Sequence, residues 1–284
     1  MDPTYAPAWQ ALGVRYYYEF SYSTGGEEAF QKSNASYERA LALDPNLIFA
    51  AGNLITNRVE RGELLQAYQQ GRALVKQRPQ SAQAHFTFAY VLRYAGRLNE
   101  AQSECNEAIK FDPGNFMFRS CSRAFLYSGD TRHAREFANL DAGSEWARSE
   151  MVGILLRERK LAEARDAVKR MPTTKQYHRD LMEAAVGLRS PSELDRIAQE
   201  KMEAQPENED PERFYAQGAV LAFAGKKDAA VHMIRTAIEQ NYCAYLDLEN
   251  DPLLENLRST PDFADLLRAA RFCQQPLLAS EHQG

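Results

Sequence analysis

The sequence lacks any long apolar run. Its longest stretches, Met151 to Leu156 and Ala219 to Ala224, fall far short of the roughly 20 residues that a membrane-spanning helix requires. The opening Met1-Asp2-Pro3-Thr4 has neither the basic nor the apolar segment of a secretory signal, so a soluble, cytoplasmic chain is expected. No dense basic run is present to follow a phosphate backbone. With 34 Lys and Arg against 39 Asp and Glu the formal net charge is -5, which argues against nucleic acid as a partner. Cysteine is scarce: Cys105, Cys121, Cys243 and Cys273 form no CxxC and no Cys/His pair at metal-ligand spacing, and are read as reduced, mostly buried thiols. Only 15 Gly and 12 Pro are found among 284 residues, too few for a low-complexity linker, while 44% hydrophobic and 26% charged residues suit a folded soluble protein with a real core.

Catalytic signatures are equally sparse. His85, His133, His178, His232 and His282 are dispersed, with no HExxH, so neither a metal nor a cofactor is implied. No GxSxG elbow exposes a serine. His178-Arg179-Asp180-Leu181 matches the start of a kinase catalytic loop, but Ala185 stands where that loop needs a magnesium-binding Asn, and neither a Gly-rich phosphate loop nor Asp-Phe-Gly occurs. The string is read as part of a polar helix. Asn34-Ala35-Ser36 fits a glycosylation sequon but falls on a predicted helix in a chain without an export signal, and is set aside. The chain is therefore read as non-catalytic.

What is present is a period. Gly62, Ala67 and Pro79 recur 34 residues later as Gly96, Ala101 and Pro113. Each position has its own physical reason. Gly62 and Gly96 sit where one helix turns into the next through a left-handed cap. Ala67 and Ala101 sit where the two helices cross most closely. Pro45, Pro79 and Pro113 end the second helix, because proline donates no N–H and keeps its predecessor out of the helical region. These constraints predict stacked helix pairs with boundaries near Gly62, Gly96, Gly129 and Gly225.

Trp9, Leu12, Gly13 and Tyr16, then Tyr37, Ala40 and Pro45, resemble the tetratricopeptide-repeat family, with about eight extra residues around Ser21 to Glu28, where Ser23-Thr24-Gly25-Gly26 reads as a lengthened turn. Later units follow: Gly129 and Ala134; Leu161 and Ala164, cut early at Pro172; Ser192 to Ala204 as the second helix of a sixth pair; and Phe214, Gln217, Gly218, Leu221, Gly225, Ala230, Ile234 and Ala237 as a seventh. The resemblance implies an all-α right-handed solenoid of about seven pairs over residues 1–247. A helical cap over 248–273 and a frayed tail over 274–284 complete the expected organisation. The opening DPTYAPAWQALG, the stretch GGEEAFQKSNASYERALALDPN and the cap LENDPLLENLRSTPDFADLLRAARFC are also similar to repeat regions that follow the catalytic and membrane-spanning parts of some bacterial serine/threonine kinases. That likeness implies a piece of a longer signalling protein.

In this family the first helices of the pairs line a concave groove. Mapping its positions places Tyr17, Tyr18, Phe49, Asn53, Thr56, Phe86, Tyr90, Arg93, Tyr94, Arg119, Arg123, Tyr127, Trp146 and Arg157 there. Tyr, Trp and Arg are the residues enriched at binding hot spots, although the same aromatics also serve as core between neighbouring pairs. Arg93, Arg119 and Arg123 are expected to meet acidic groups of a partner, with Arg119 and Arg123 at solvent-facing positions of the groove. Gly52, Thr56, Phe86 and Tyr90 replace the Lys/Asn set with which some members clamp a carboxylate, so that activity does not carry over. The expected function is a protein-interaction scaffold, able to self-associate; a small-ligand sensor or an enzyme built on the array is the alternative.

Overall fold

A computed structural model of the chain describes residues 2–23, 25–173, 178–203 and 210–281. Thr24 of the lengthened turn, Ala204 at the expected end of the sixth pair, and residues 282–284 of the expected tail lie outside them. The described residues contain helices and no strand.

Consecutive helices pair along the chain: α1 (Ala6–Tyr22) with α2 (Gly26–Leu43), α3 (Ile48–Val59) with α4 (Leu64–Gln77), and α5 (Ala82–Tyr94) with α6 (Leu98–Phe111). A 3-10 segment, Phe116–Cys121, leads into α7 (Ser122–Leu126), which pairs with α8 (Thr131–Ala138). Three more pairs follow: α9 (Glu145–Arg157) with α10 (Leu161–Val168), α11 (Arg179–Ala185) with α12 (Pro191–Glu203), and α13 (Pro211–Phe223) with α14 (Lys227–Glu239). Beyond them lie α15 (Tyr245–Asn250) and α16 (Pro261–Glu281).

The two helices of a pair differ in burial because they occupy different layers. Second helices are amphipathic: α6 buries Leu98, Ala101, Cys105 and Ala108, one stripe at helical spacing. First helices are sandwiched between their neighbours, so α5 buries every residue from Ala84 to Tyr94 except Tyr90. The repeat alanines at the crossings, Ala40, Ala67, Ala101, Ala134, Ala164 and Ala230, are wholly buried. Gly62, Gly96, Gly129 and Gly225 adopt φ of 75°, 66°, 85° and 79°, as the spacing predicts. At the fifth turn Arg159 stands in the same left-handed region, with φ of 59°.

The C-terminal elements do more than cap the last pair. The chain from Gln240 to Glu255 crosses the turns of the second to fifth pairs. Asn241 Nδ2 donates to Gly62 O at 2.9 Å, Cys243 N to Tyr94 O at 2.8 Å, and Arg159 pairs with Glu255. A Cβ on Gly62 or Gly96 would come within 2.7 Å of that crossing backbone, so these glycines serve close approach as well as the turn. The tail expected over 274–284 is corrected: α16 runs to Glu281, Leu277 is buried, and Gln274 Nε2 donates to Ala95 O at 2.7 Å. Apolar contact and a turn carbonyl in need of a donor hold this segment helical.

The cysteine expectation is also corrected. Cys105 bonds to Cys121 and Cys243 to Cys273, leaving no free thiol. The first bond joins α6 to the 3-10 segment, the second joins the chain after α14 to α16. Sequence separations of 16 and 30 concealed this proximity, which only the stacking of helices creates.

Candidate functional site

Residues of all seven first helices line one cavity of about 270 Å³. Helix α1 contributes Tyr17 and Tyr18, α3 Phe49, Asn53, Thr56 and Glu60, and α5 Phe86, Tyr90 and Arg93. The fourth pair and its 3-10 segment add Arg119, Ser120, Arg123 and Tyr127, and α9 adds Trp146, Glu150, Gly153 and Arg157. His178 and Leu181 come from the sixth pair, and Asp210, Arg213, Ala216 and Gln217 from the seventh.

The residues predicted from repeat register are thus brought together, with one exception. Tyr94 is wholly buried behind the cavity, its ring stacked on Tyr90 and edge-on to Tyr242, its hydroxyl donating to Asp210 Oδ1 at 2.8 Å. Closure by α13 converts this position from lining to core. Sequence reasoning missed Glu60, Asp210, Arg213 and Gln217. Glu60 continues the Asn53, Thr56 spacing by one more turn, and Asp210, Arg213 and Gln217 repeat a three-to-four spacing on the seventh first helix.

The arginines are not free groove cations, and that expectation is corrected. Arg93 Nε meets Glu212 Oε1 at 2.6 Å, and its Nη1 donates to Ser120 O at 3.1 Å. Arg123 Nη1 donates to the other oxygen of Glu212 at 2.5 Å, and its Nε to Glu150 at 3.4 Å. Arg119 pairs with Asp141 at 2.8 Å, and Arg157 with Asp251 at 2.6 Å. Trp146 lies between Arg119 and Arg123, its ring centre 5.4 and 5.8 Å from their guanidinium carbons. Only 17% and 25% of the Arg119 and Arg123 side chains are exposed, so neither is the solvent-facing group that the register suggests. A guanidinium placed inside a closed array needs an acid, and the seventh pair and its cap supply Glu212 and Asp251.

The electrostatics follow from this enclosure. Burial pushes Glu212 upward, but Arg93 and Arg123 outweigh it and hold the carboxyl below its usual range. Glu60 has no such cation beside it. It accepts Tyr17 Oη at 2.8 Å and Tyr90 Oη at 2.6 Å, and burial, with Asp210 nearby, pushes it up to about 7. Burial, then Lys201 and Arg213, lowers His178 to about 3, so its imidazole is neutral. Among the described residues no group of His, Cys, Asp and Glu is placed to hold a metal ion, and no helix is long and apolar enough to cross a membrane.

Residues 82–115, helices α5 and α6, match the sequence model of the tetratricopeptide repeat. The structure is also similar to the solved APC/C hetero-tetramer Cut9-Hcn1, with a TM-score of 0.58 at 14% identity over 94% of this chain and 56% of that one. The fold is a tetratricopeptide-repeat solenoid. Two bacterial repeat proteins match at a TM-score of 0.49. They are a thermophilic protein from Thermus thermophilus, 18% identical over 66% of this chain and 98% of its own, and a protein from Parabacteroides merdae, 12% identical over 93% and 99%. No curated protein sequence matches. Tetratricopeptide repeats generally mediate contacts between proteins, and their solenoids are typically scaffolds without catalytic chemistry.

Proposed function

We propose that this solenoid is a non-catalytic recognition module that receives a short protruding part of a protein partner, a chain end or loop tip, in its concave cavity. The observation that carries this reading is the convergence of all seven first helices on one space walled by Tyr, Phe, Trp and Arg. Cut9, solved in complex with Hcn1, offers a repeat solenoid of this fold in contact with another protein. A long acidic helix along an open groove is a poor fit, because Arg93, Arg119, Arg123 and Arg157 already have acids of their own chain. The enclosure favours a second reading, a small ligand held in the same cavity. The likeness of the opening, the Gly25 stretch and the cap to kinase-associated repeat regions supports a role within a larger bacterial signalling protein. The two disulfides favour an oxidising compartment over the cytoplasm.

The test is a cavity-filling pair, Ala216→Phe and Gly153→Phe, made separately. A Cβ on Gly153 meets only ordinary contacts, the nearest being Arg157 Nη1 at 3.5 Å. Both variants should melt cooperatively and lose the partners that the unaltered chain retains in pull-downs. Equal recovery of every partner by folded variants would exclude the cavity as the recognition site.

A further inference from the structure

We propose that the cavity recognises a ligand bearing an ammonium and a carboxylate on one short apolar stem, the chemistry of a free α-amino acid or of a polypeptide's first residue when that residue is acidic. The inference rests on the cavity reading above and names the occupant.

Four of the five lining guanidiniums, those of Arg93, Arg119, Arg123 and Arg157, are held in ion pairs. Arg213 is different. Among the described residues its guanidinium has no ion pair, hydrogen bond or stacked ring, although Asp210, Tyr17 and Glu60 lie within electrostatic range. Glu60 is its counterpart: a carboxylate only 6% exposed that receives two phenol hydroxyls and no cation. The two feel each other's charge across the cavity yet make no ion pair. A buried carboxyl and a half-buried guanidinium kept apart each lack an ion-pair partner. A dipolar ligand seated between them meets both.

A second observation points the same way. Gln217 is 4% exposed and lines the cavity, and its Oε1 accepts no hydrogen bond. A buried amide oxygen without a donor suits an ammonium, which brings three. Its Nε2 is already committed to Arg213 O at 3.1 Å, which fixes which end of the amide is free. Phe49, Phe86 and Trp146 provide apolar walls for a stem. At about 270 Å³ the cavity lies at the small end of ligand pockets, which run from about 300 to about 1,000 Å³.

Singly charged ligands fit worse. An anion beside Arg213 would face Glu60 and Asp210, and a cation beside Glu60 would face Arg213. The groups around Glu60 are Tyr17 from α1, Tyr90 from α5, Asp210 at the cap of α13 and Arg213 within it. A bound ammonium adds the positive charge this set lacks at Glu60, and a bound carboxylate supplies the partner that Arg213 lacks.

Calorimetric titration and thermal melting of the full chain test this with phenylalanine, phenethylamine, 3-phenylpropionate and a hexapeptide that begins with glutamate. Phenylalanine or the peptide should bind at least about ten-fold more tightly than the amine or the acid, and which of the two binds identifies the source. Glu60→Gln and Arg213→Gln should each weaken that binding about ten-fold or more while circular dichroism stays unchanged. Should either variant unfold, Gln217→Leu provides the same test from the amide side. Equal binding of the amine or the acid, or no binding of any of the four at millimolar concentration to cooperatively melting protein, overturns the proposal. If the cavity-filling variants lose partners while all four probes fail, the cavity reading stands and the dipolar chemistry falls.

Discussion

Glu212 is the residue on which the closed array depends. Wholly buried at the start of α13, it pairs with Arg93 of α5 and Arg123 of α7, so one carboxylate joins the third, fourth and seventh pairs. Removing its charge strands two guanidiniums in a low-dielectric interior. Glu212→Gln should therefore destabilise the fold by about 3–5 kcal/mol in urea denaturation, and a change below about 1 kcal/mol would show that water reaches the pair. By the same logic Arg123→Glu sets a new carboxylate against Glu150 and Glu212, so the change should cost stability, not only binding. Ala101 illustrates the opposite extreme, a residue that matters by being small. It is wholly buried at the crossing of α5 and α6, and Ala101→Phe should lower the denaturant midpoint by the equivalent of about 1–3 kcal/mol. An unmoved midpoint would mean that the crossing has slack.

At the scale of elements, the two disulfides fasten parts that the repeat alone would leave to side-chain packing. Cys243–Cys273 secures α16 to the chain that crosses the turns, and Cys105–Cys121 secures the irregular 3-10 segment to α6. Loops of these lengths restrict the unfolded chain by about 3–4 kcal/mol each in the chain-entropy account. Peptide mapping of natively produced protein without reductant should recover both pairs. Free thiols at all four positions would return the array to a reducing compartment. Replacing Cys243 and Cys273 together with Ser should lower the melting temperature and make α16 the first segment to exchange its amide hydrogens. Uniform exchange along the chain would show that Leu277 and Gln274 suffice to hold α16.

For the whole molecule, enclosure makes stability depend on pH in an unusual sense. Glu60 and Asp247 are pushed up to about 7 from 4.5 and 3.8, in each case first by burial. The folded protein then binds more protons than the unfolded chain across that interval. The stability these carboxyls contribute is therefore complete below their unfolded values and is lost as pH rises through 7. His178, lowered to about 3 from 6.5, opposes them: its contribution is present above 6.5 and is lost as pH falls. The difference between variants isolates one carboxyl. Between pH 5 and 7.5, Glu60→Gln should gain on the unaltered protein by up to about 3 kcal/mol in urea denaturation. Parallel stability curves would mean that Glu60 is ionised throughout.

Local physics alone decided much of this protein. Glycine at a left-handed turn, alanine at a crossing and proline after a second helix act within one repeat, so their spacing revealed helix pairs and the concave face wherever the period held. Side-chain direction on a helix follows from position, which is why Tyr17, Asn53, Phe86, Tyr90, Arg123 and Arg157 were legible as lining residues. Tertiary structure decided everything that depends on closure. The seventh pair sets Glu212 against Arg93 and α16 donates to the turn at Ala95, each more than 100 residues earlier in the chain; no local spacing encodes such a return, which arises because each pair adds a small rotation to the stack. That return buried Tyr94, gave Arg93, Arg123 and Arg157 their acids, and left Glu60 and Arg213 facing one cavity without each other. A charge can be read from the sequence, but its partner is chosen only where distant elements meet.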